Sequence, residues 1–132
     1  MNTSSIPSEI SVWLIEDNAD FREAVAWQIN QIAHLHCART FGACEEALSA
    51  LAGESAPQVI LCDVGLPGMD GITGINAIKA LSPATHIIML TVHDDHRKVF
   101  GAICAGASGY LLKDASEETI ASAIHDVLNG GA

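Results

Sequence analysis

The sequence predicts a doubly wound α/β domain built on a five-stranded parallel sheet. Five short apolar segments alternate along the chain with five segments of helical periodicity. The segments QVILC (residues 58–62) and HIIMLT (residues 86–91) lack the polar alternation of a half-exposed strand, so helices are expected on both faces of the sheet. The length of 132 residues fits one such domain.

The first third of the chain predicts two strands and two helices. Ser11–Glu16 is an apolar, β-branched segment and is predicted as a strand. Ala19–Ala33 places its apolar residues on one helical face. His36–Phe41 is predicted as the second strand. Cys44–Ala52 is rich in alanine and leucine and is predicted as a helix that ends at Gly53.

The middle of the chain predicts a strand, a loop, a helix and another strand. Gln58–Cys62 is a short apolar strand, and Asp63–Met69 is dense in turn residues. The helix Asp70–Leu81 is expected to end before Pro83, because a proline disfavours helical geometry at the residue preceding it. His86–Thr91 is a nearly continuous apolar strand.

The last third predicts a helix, a strand and a helix. Asp94–Ala105 begins with two acids, which suit the positive end of a helix dipole. Tyr110–Lys113 is predicted as the fifth strand. Glu117–Leu128 carries an apolar stripe and is predicted as the last helix.

Composition excludes several classes of protein. Apolar residues make up 49% of the chain and charged residues 17%, which is the opposite of a disordered sequence. The formal net charge of −10 argues against direct contact with nucleic acid, which needs a basic surface. No apolar run approaches the ~20 residues that span a bilayer, and the first residues lack the features of a signal peptide. We therefore expect a cytoplasmic location without membrane contact.

Polar residues end four of the predicted strands, at the edge where parallel-sheet proteins bind ligands. The first strand ends in Glu16 and Asp17, the third in Asp63, the fourth in Thr91 and the fifth in Lys113. Packed carboxylates repel one another unless a proton or a cation neutralises them. An all-oxygen set of this kind suits Mg²⁺. A lysine is a suitable point charge for phosphate oxygens.

Each of these residues also has an ordinary structural interpretation. Asp17 is suited to cap the first helix, and Asp63 to open a turn. Lys113 is compatible with a solvated charge at a strand end, and Thr91 with an ordinary β-branched strand residue. The hypothesis of a site depends on their convergence at one edge of the sheet.

Taken together, these residues resemble the receiver domains of bacterial response regulators. Four matching stretches occur in the expected order: LIEDN (14–18), DVGLPGMDG (63–71), MLT (89–91) and GASGYLLKD (106–114). The resemblance covers nearly the whole domain. It implies a flavodoxin-like (βα)5 fold with strand order 2-1-3-4-5.

The resemblance implies that Asp63 accepts a phosphoryl group from the phosphohistidine of a sensor histidine kinase. Mg²⁺ would be held by Asp17 and Asp63, with Glu16 contributing directly or through water and Gly65 through its backbone carbonyl. Such a domain is a signalling phosphoacceptor rather than an enzyme, although receivers also phosphorylate themselves from small donors and dephosphorylate themselves.

The resemblance also implies a conformational switch. Lys113 would pair with phosphate oxygens, and the Thr91 hydroxyl would donate to another. As Thr91 turns toward the phosphate, Tyr110 would rotate into the vacated space and change the surface over the fourth helix, fifth strand and fifth helix.

Some positions depart from the usual receiver pattern. Val92 follows Thr91 where many receivers have a smaller residue, and this narrows the expected access to Asp63. Asp114 follows Lys113 where receivers often have a cis proline. His93 and Gly65 occupy positions that tune the lifetime of the acyl phosphate in the family.

LTVHDD and GASGYLLKDAS more specifically resemble receivers of the NarL/FixJ type, whose output is a LuxR-like helix-turn-helix domain. We therefore expect a flexible tail at residues 1–10, a receiver domain at 11–129 and the start of a linker at 130–132. DNA would be bound only through an output domain that lies outside this chain, and a phosphorylation-dependent homodimer is a further expectation.

Three alternatives remain at this point. The chain is also compatible with a stand-alone receiver or with a pseudo-receiver that works without phosphorylation. A Mg²⁺-dependent phosphatase is disfavoured, because the position two residues after Asp63 is Gly65 rather than a second acid, and no cap insertion is present.

Overall fold

The computed structural model of the chain describes residues 9–63, 71–92 and 96–130, without the side chains of residues 96–99. Five strands and five helices alternate along it. The strands are β1 (Ile10–Ile15), β2 (Leu35–Phe41), β3 (Val59–Asp63), β4 (His86–Thr91) and β5 (Gly109–Leu112). The helices are α1 (Ala19–Gln31), α2 (Cys44–Gly53), α3 (Gly71–Leu81), α4 (His96–Ala105) and α5 (Glu117–Leu128).

The strands form one parallel sheet in the order β2-β1-β3-β4-β5. This confirms the predicted flavodoxin-like fold and its strand order. The strand order reverses after β2, so β3 pairs with the free side of β1, with Ile15 opposite Cys62. Because all strands run in the same direction, the residues that follow them meet at one edge, which we call the carboxyl edge.

Two apolar layers cover the sheet. On one face, α1 and α5 bury residues such as Ile29 and Ile124 against β1, β3 and β4. On the other face, α2, α3 and α4 pack residues such as Ile75 and Ala102 against Trp13 and Met89. All five side chains of β3 are buried, which agrees with the predicted burial of this strand on both faces.

Several element boundaries differ from the predicted ones. Ile10 belongs to β1 and is buried, so the predicted tail of residues 1–10 is wrong at its last position; residues 1–8 lie outside the described part of the chain. The first helix ends at Gln31 rather than Ala33, because Ile32 is extended and His34 has a left-handed backbone with φ 69°. Gly130 follows α5 with φ 85°, so residue 130 has left the helix.

The opposite edge of the sheet is held together by a lysine that binds backbone carbonyls. Lys79 in α3 donates to the carbonyl oxygens of Pro83 at 2.7 Å and Thr85 at 2.8 Å, just before β4 begins. Gly106, which follows α4 with φ 119°, lies against the same side chain, and a Cβ there would come within 2.9 Å of Lys79 Cγ. Lys79 therefore joins α3, the start of β4 and the end of α4.

The four cysteines, all of which lie in described segments, form no disulfide. Cys44 and Cys62 are buried with their Sγ atoms 3.9 Å apart, and Cys104 is exposed. Within the residues that the structure describes, no helix combines the length and apolar character needed to cross a membrane.

Candidate functional site

Three carboxylates meet at the carboxyl edge, as the sequence predicts. Glu16 and Asp17 directly follow β1, and Asp63 is the last residue of the neighbouring β3. One oxygen from each lies within 4.8 Å of the others. Glu16 and Asp63 are buried, whereas Asp17 is exposed. This separation allows a single cation to contact all three carboxylates.

Lys113 brings a positive charge to the same cluster. It follows β5, and its backbone N–H donates to the carbonyl oxygen of Thr91 at 2.8 Å, which continues the β4–β5 pairing by one residue. Its Nζ lies 2.8 Å from Glu16 Oε1 and donates to Asp63 Oδ2 at 3.0 Å. The ammonium group therefore bridges an acid after β1 and an acid at the end of β3.

Burial of the acids would cost free energy without the positive charge of Lys113. The side chain of Glu16 is 0% exposed. Its burial raises the pKa of Glu16 above the ordinary value of 4.5; the contacts with Lys113 and the Asn18 N–H oppose that rise, and Asp63 adds to it. Burial alone would lower the pKa of Lys113, but its contacts with Glu16 and Asp63 outweigh that effect and raise it. The lysine is thus held in its charged form between the two acids.

The first turn of α1 contributes three further contacts to the site. Asn18 caps the helix, and its side chain accepts from the N–H of Phe21 at 2.9 Å. The ring of Phe21 lies beside Lys113, with Nζ 5.2 Å from the ring centroid, a distance at which a cation and an aromatic face attract. Arg22 donates through Nη1 to the carbonyl oxygen of Glu16 at 2.7 Å. Neither Phe21 nor Arg22 is among the predicted site residues.

The sequence does contain a weak indication of these two contacts. Phe21 was expected only as part of the apolar face of the first helix, and it does pack partly into the core. Arg22 is one of six basic residues in a chain with 16 acids, and it follows the acid pair by little more than one helical turn. A basic residue so close to the acid pair, in a chain with few basic residues, is the sequence feature that indicates a role for Arg22 at the site.

Thr91 and Tyr110 lie on the same face of the sheet. Tyr110 is paired with Met89, and Thr91 lies two residues beyond Met89 along β4. Thr91 is buried, whereas Tyr110 is 41% exposed. Their placement is compatible with the predicted switch from the interior of the site to the surface of β5.

The structure describes only some of the remaining predicted positions. Val92 is 63% exposed, so its side chain is directed largely to solvent. The described residues contain no cis peptide bond, and the Lys113–Asp114 bond is therefore trans. Gly65 and His93 lie outside the described residues, as do Asp94 and Asp95. The predicted carbonyl ligand at Gly65 and the tuning roles of Gly65, Val92 and His93 stay predictions.

Comparison with known proteins identifies the family. The model of the response regulator receiver domain matches residues 12–125. The chain belongs to the response regulator receiver family. The matched range contains every acid and the lysine of the cluster.

Curated relatives of this receiver domain are transcriptional regulators. UhpA of Escherichia coli (strain K12) is 35% identical over 122 residues, which cover 92% of this chain and 60% of that protein. MctR of Rhizobium johnstonii is 31% identical over 123 residues, which cover 93% of this chain and 57% of that protein. The chain thus spans little more than half the length of these relatives.

Solved structures agree with the sequence relatives. The receiver domain of NarL from Mycobacterium tuberculosis superposes with a TM-score of 0.85 at 28% identity, covering 94% of this chain and 99% of that one. A LuxR-family response regulator from Aurantimonas gives a TM-score of 0.86 at 27% identity, covering 94% of this chain and 88% of that one. The predicted NarL-type resemblance of this receiver is confirmed.

Proposed function

We propose that this receiver domain accepts a phosphoryl group on Asp63 from the phosphohistidine of a sensor histidine kinase. One observation carries the proposal: Lys113 Nζ contacts both Glu16 and Asp63, while Asp17 completes a set of carboxylates within 4.8 Å. In the transfer, a carboxylate oxygen of Asp63 forms a bond to phosphorus and the bond from phosphorus to the donor nitrogen breaks. The product is an acyl phosphate on Asp63.

The residues of the cluster fit Mg²⁺. Their donors are carboxylate oxygens, which this ion prefers, and the exposed Asp17 leaves room for the water ligands that it keeps. Glu16, Asp17 and Asp63 would hold the ion, with the carbonyl of Gly65 as a further ligand. Mg²⁺ supplies neutralisation of the negative charge that gathers during phosphoryl transfer.

Lys113 has two roles in this proposal. Before transfer it neutralises Glu16 and Asp63, and its raised pKa keeps it charged. After transfer it pairs with a phosphate oxygen, so it exchanges one set of oxygen partners for another. The ring of Phe21 limits the space in which the ammonium group moves.

Thr91 and Tyr110 would carry the signal outward. Thr91 donates its hydroxyl to the phosphate, and Tyr110 moves from its 41% exposed position into the space that Thr91 leaves. The change in the surface of β5 would alter homodimer formation and the action of a helix-turn-helix output domain beyond this chain. The relatives UhpA and MctR, both named as transcriptional regulators, support such an output.

The test is phosphorylation by acetyl phosphate in the presence of Mg²⁺, followed by intact mass spectrometry. The wild type is expected to gain one phosphoryl group, and Asp63→Asn none. Asp126→Asn removes an exposed acid from α5 and is the matched control, which should label like the wild type.

Two outcomes would count against the proposal. Labelling of Asp63→Asn would place the acceptor elsewhere. A wild type that takes up no phosphoryl group from acetyl phosphate or from candidate kinases would instead indicate a receiver that acts without phosphorylation.

A further inference from the structure

The turn between β1 and α1, residues 16–18, carries two of the carboxylates, and only that of Glu16 is buried. Asp17 is exposed, so its position depends on the backbone that carries it. Hydrogen bonds hold that backbone at both the N–H and the carbonyl oxygen of Glu16. The Glu16 N–H donates to the carbonyl oxygen of Phe41 at 2.9 Å, and the Glu16 carbonyl oxygen accepts from Arg22 Nη1 at 2.7 Å.

The two anchors differ in kind. The bond to Phe41 extends the pairing between β1 and β2, and any residue except proline at position 16 could donate it. The bond to Arg22 comes from one side chain on α1. Among the hydrogen bonds described for this turn, it is the contact that ties the Glu16–Asp17 peptide to another element through a side chain.

The guanidinium group of Arg22 is held near the Glu16 carbonyl by its own surroundings. The Arg22 N–H donates to the carbonyl oxygen of Asn18 at 2.8 Å, so the residue lies in the first turn of α1. Its Nη1 also lies beside Gly42, where an added Cβ would come within 3.4 Å of it. A planar guanidinium loses less rotamer freedom per hydrogen bond than a lysine does. The bond from Arg22 to the Glu16 carbonyl oxygen is therefore suited to holding the Glu16–Asp17 peptide in one position.

We propose that Arg22 is a positioning residue for the metal site: its bond to the Glu16 carbonyl fixes the Glu16–Asp17 peptide so that both carboxylates face Asp63. This inference rests on the proposed binding of Mg²⁺. Arg22 makes no contact with the metal ligands' carboxylates in the described hydrogen bonds and ion pairs; it acts through the backbone.

The direction of the change in Mg²⁺ affinity on replacement of Arg22 distinguishes a positioning role from a purely electrostatic one. A nearby positive charge repels a cation, so its removal alone would strengthen Mg²⁺ binding. Loss of a positioning contact weakens it, since outer contacts of metal ligands are worth about 10-fold or more in metal affinity. We therefore expect Arg22→Met to bind Mg²⁺ about 10-fold more weakly than the wild type.

The measurement is calorimetric titration of the unphosphorylated protein with MgCl2, which needs no phosphoryl transfer. Lys79→Met is the matched control. It also removes a lone positive charge that binds backbone carbonyls, but at the opposite edge of the sheet. Its Mg²⁺ affinity should equal that of the wild type.

A conservative variant provides the second measurement. Arg22→Lys keeps the charge and a donor but not the guanidinium fork, and its affinity should fall between those of Arg22→Met and the wild type. It also keeps the proposal testable if Arg22→Met fails to fold, which urea unfolding would reveal.

The outcomes distinguish the two proposals. A wild type that does not bind Mg²⁺ would overturn the proposed metal site. A wild type that binds Mg²⁺, together with an Arg22→Met variant that binds it equally well or more tightly, would overturn the positioning role alone.

Discussion

Two lysines lie at opposite edges of the same sheet, and each has two oxygen partners at nearly equal distances. Lys79 reaches the carbonyl oxygens of Pro83 and Thr85 at 2.7 and 2.8 Å. Lys113 reaches the carboxylates of Glu16 and Asp63 at 2.8 and 3.0 Å. The geometry of the two is similar, but the chemistry of their partners is not.

The oxygen partners of the two lysines differ in whether they can change their charge. Backbone carbonyls carry no net charge and bind neither protons nor phosphoryl groups at neutral pH, so Lys79 is a fixed brace between α3, β4 and the end of α4. The carboxylates around Lys113 can each take up a proton, a cation or a phosphoryl group. A lysine becomes part of a switch when its partners can change their charge, and the next three predictions test this contrast.

The largest effect on stability is expected for Lys113→Met. This substitution leaves Glu16, whose side chain is 0% exposed, beside Asp63 without a cation. Removing one partner of a buried ion pair costs several kcal/mol, so the free energy of unfolding at neutral pH should fall by about 3 kcal/mol. Urea unfolding with and without Mg²⁺ measures this, and Mg²⁺ should restore part of the loss. A loss of only about 0.5 kcal/mol, typical of an exposed pair, would contradict the proposed dependence of the acids on Lys113.

A smaller effect is expected for Lys79→Met. Two hydrogen bonds to a charged group are lost, and the free energy of unfolding should fall by about 1.5 kcal/mol. Because the partners are neutral carbonyls, this loss should be the same with and without Mg²⁺, and phosphoryl incorporation should match the wild type. The same unfolding and mass-spectrometric assays test both points, and a Mg²⁺-dependent loss would remove the contrast between the two lysines.

The smallest expected effect is the contribution of Glu16 to the pH dependence of the free energy of unfolding. Its pKa is raised above 4.5 in the folded state, mainly by burial, so the folded protein binds this proton more tightly than the unfolded chain does. Stability from protonated Glu16 is present below pH 4.5 and is lost as the pH rises through the raised value. Glutamine does not titrate. The free energy of unfolding of the wild type minus that of Glu16→Gln should therefore decrease as the pH rises from below 4.5 toward neutrality in metal-free buffer.

Urea unfolding of both proteins across that range is the measurement. A difference that increases with pH would mean that the ion pair with Lys113 outweighs burial. Added Mg²⁺ should oppose the decrease, because the cation favours the ionised carboxylate.

The carboxyl edge was predictable from the sequence because strand ends in a parallel sheet converge. The apolar segments located β3 and β4, and β4 has the predicted bounds His86–Thr91. The strand order implied by the receiver resemblance makes β1 and β3 neighbours, which predicts that Asp63 lies beside Glu16 and Asp17. Those expectations depend on the direction of the strands, on the residues that end them, and on the strand order that the receiver resemblance implies.

The contacts made by α1 were not predictable in the same way. Phe21 and Arg22 follow one another in the sequence, yet one reaches Lys113 and the other the Glu16 carbonyl. Periodicity gives the face of a helix on which a residue lies, but it does not specify rotamers. The end of α1 was missed for a related reason. No glycine marks it, and His34 adopts the left-handed conformation instead.

The site is assembled from distant parts of the chain, with acids directly after β1 and at the end of β3 and its ammonium group directly after β5. A polypeptide emerging from the ribosome therefore exposes every carboxylate of the cluster well before it exposes the lysine that neutralises them. Until Lys113 is added, the cluster lacks the ammonium group that contacts Glu16 and Asp63. Synthesis of β5 thus completes the sheet, and the next residue, Lys113, supplies the ammonium group of the site.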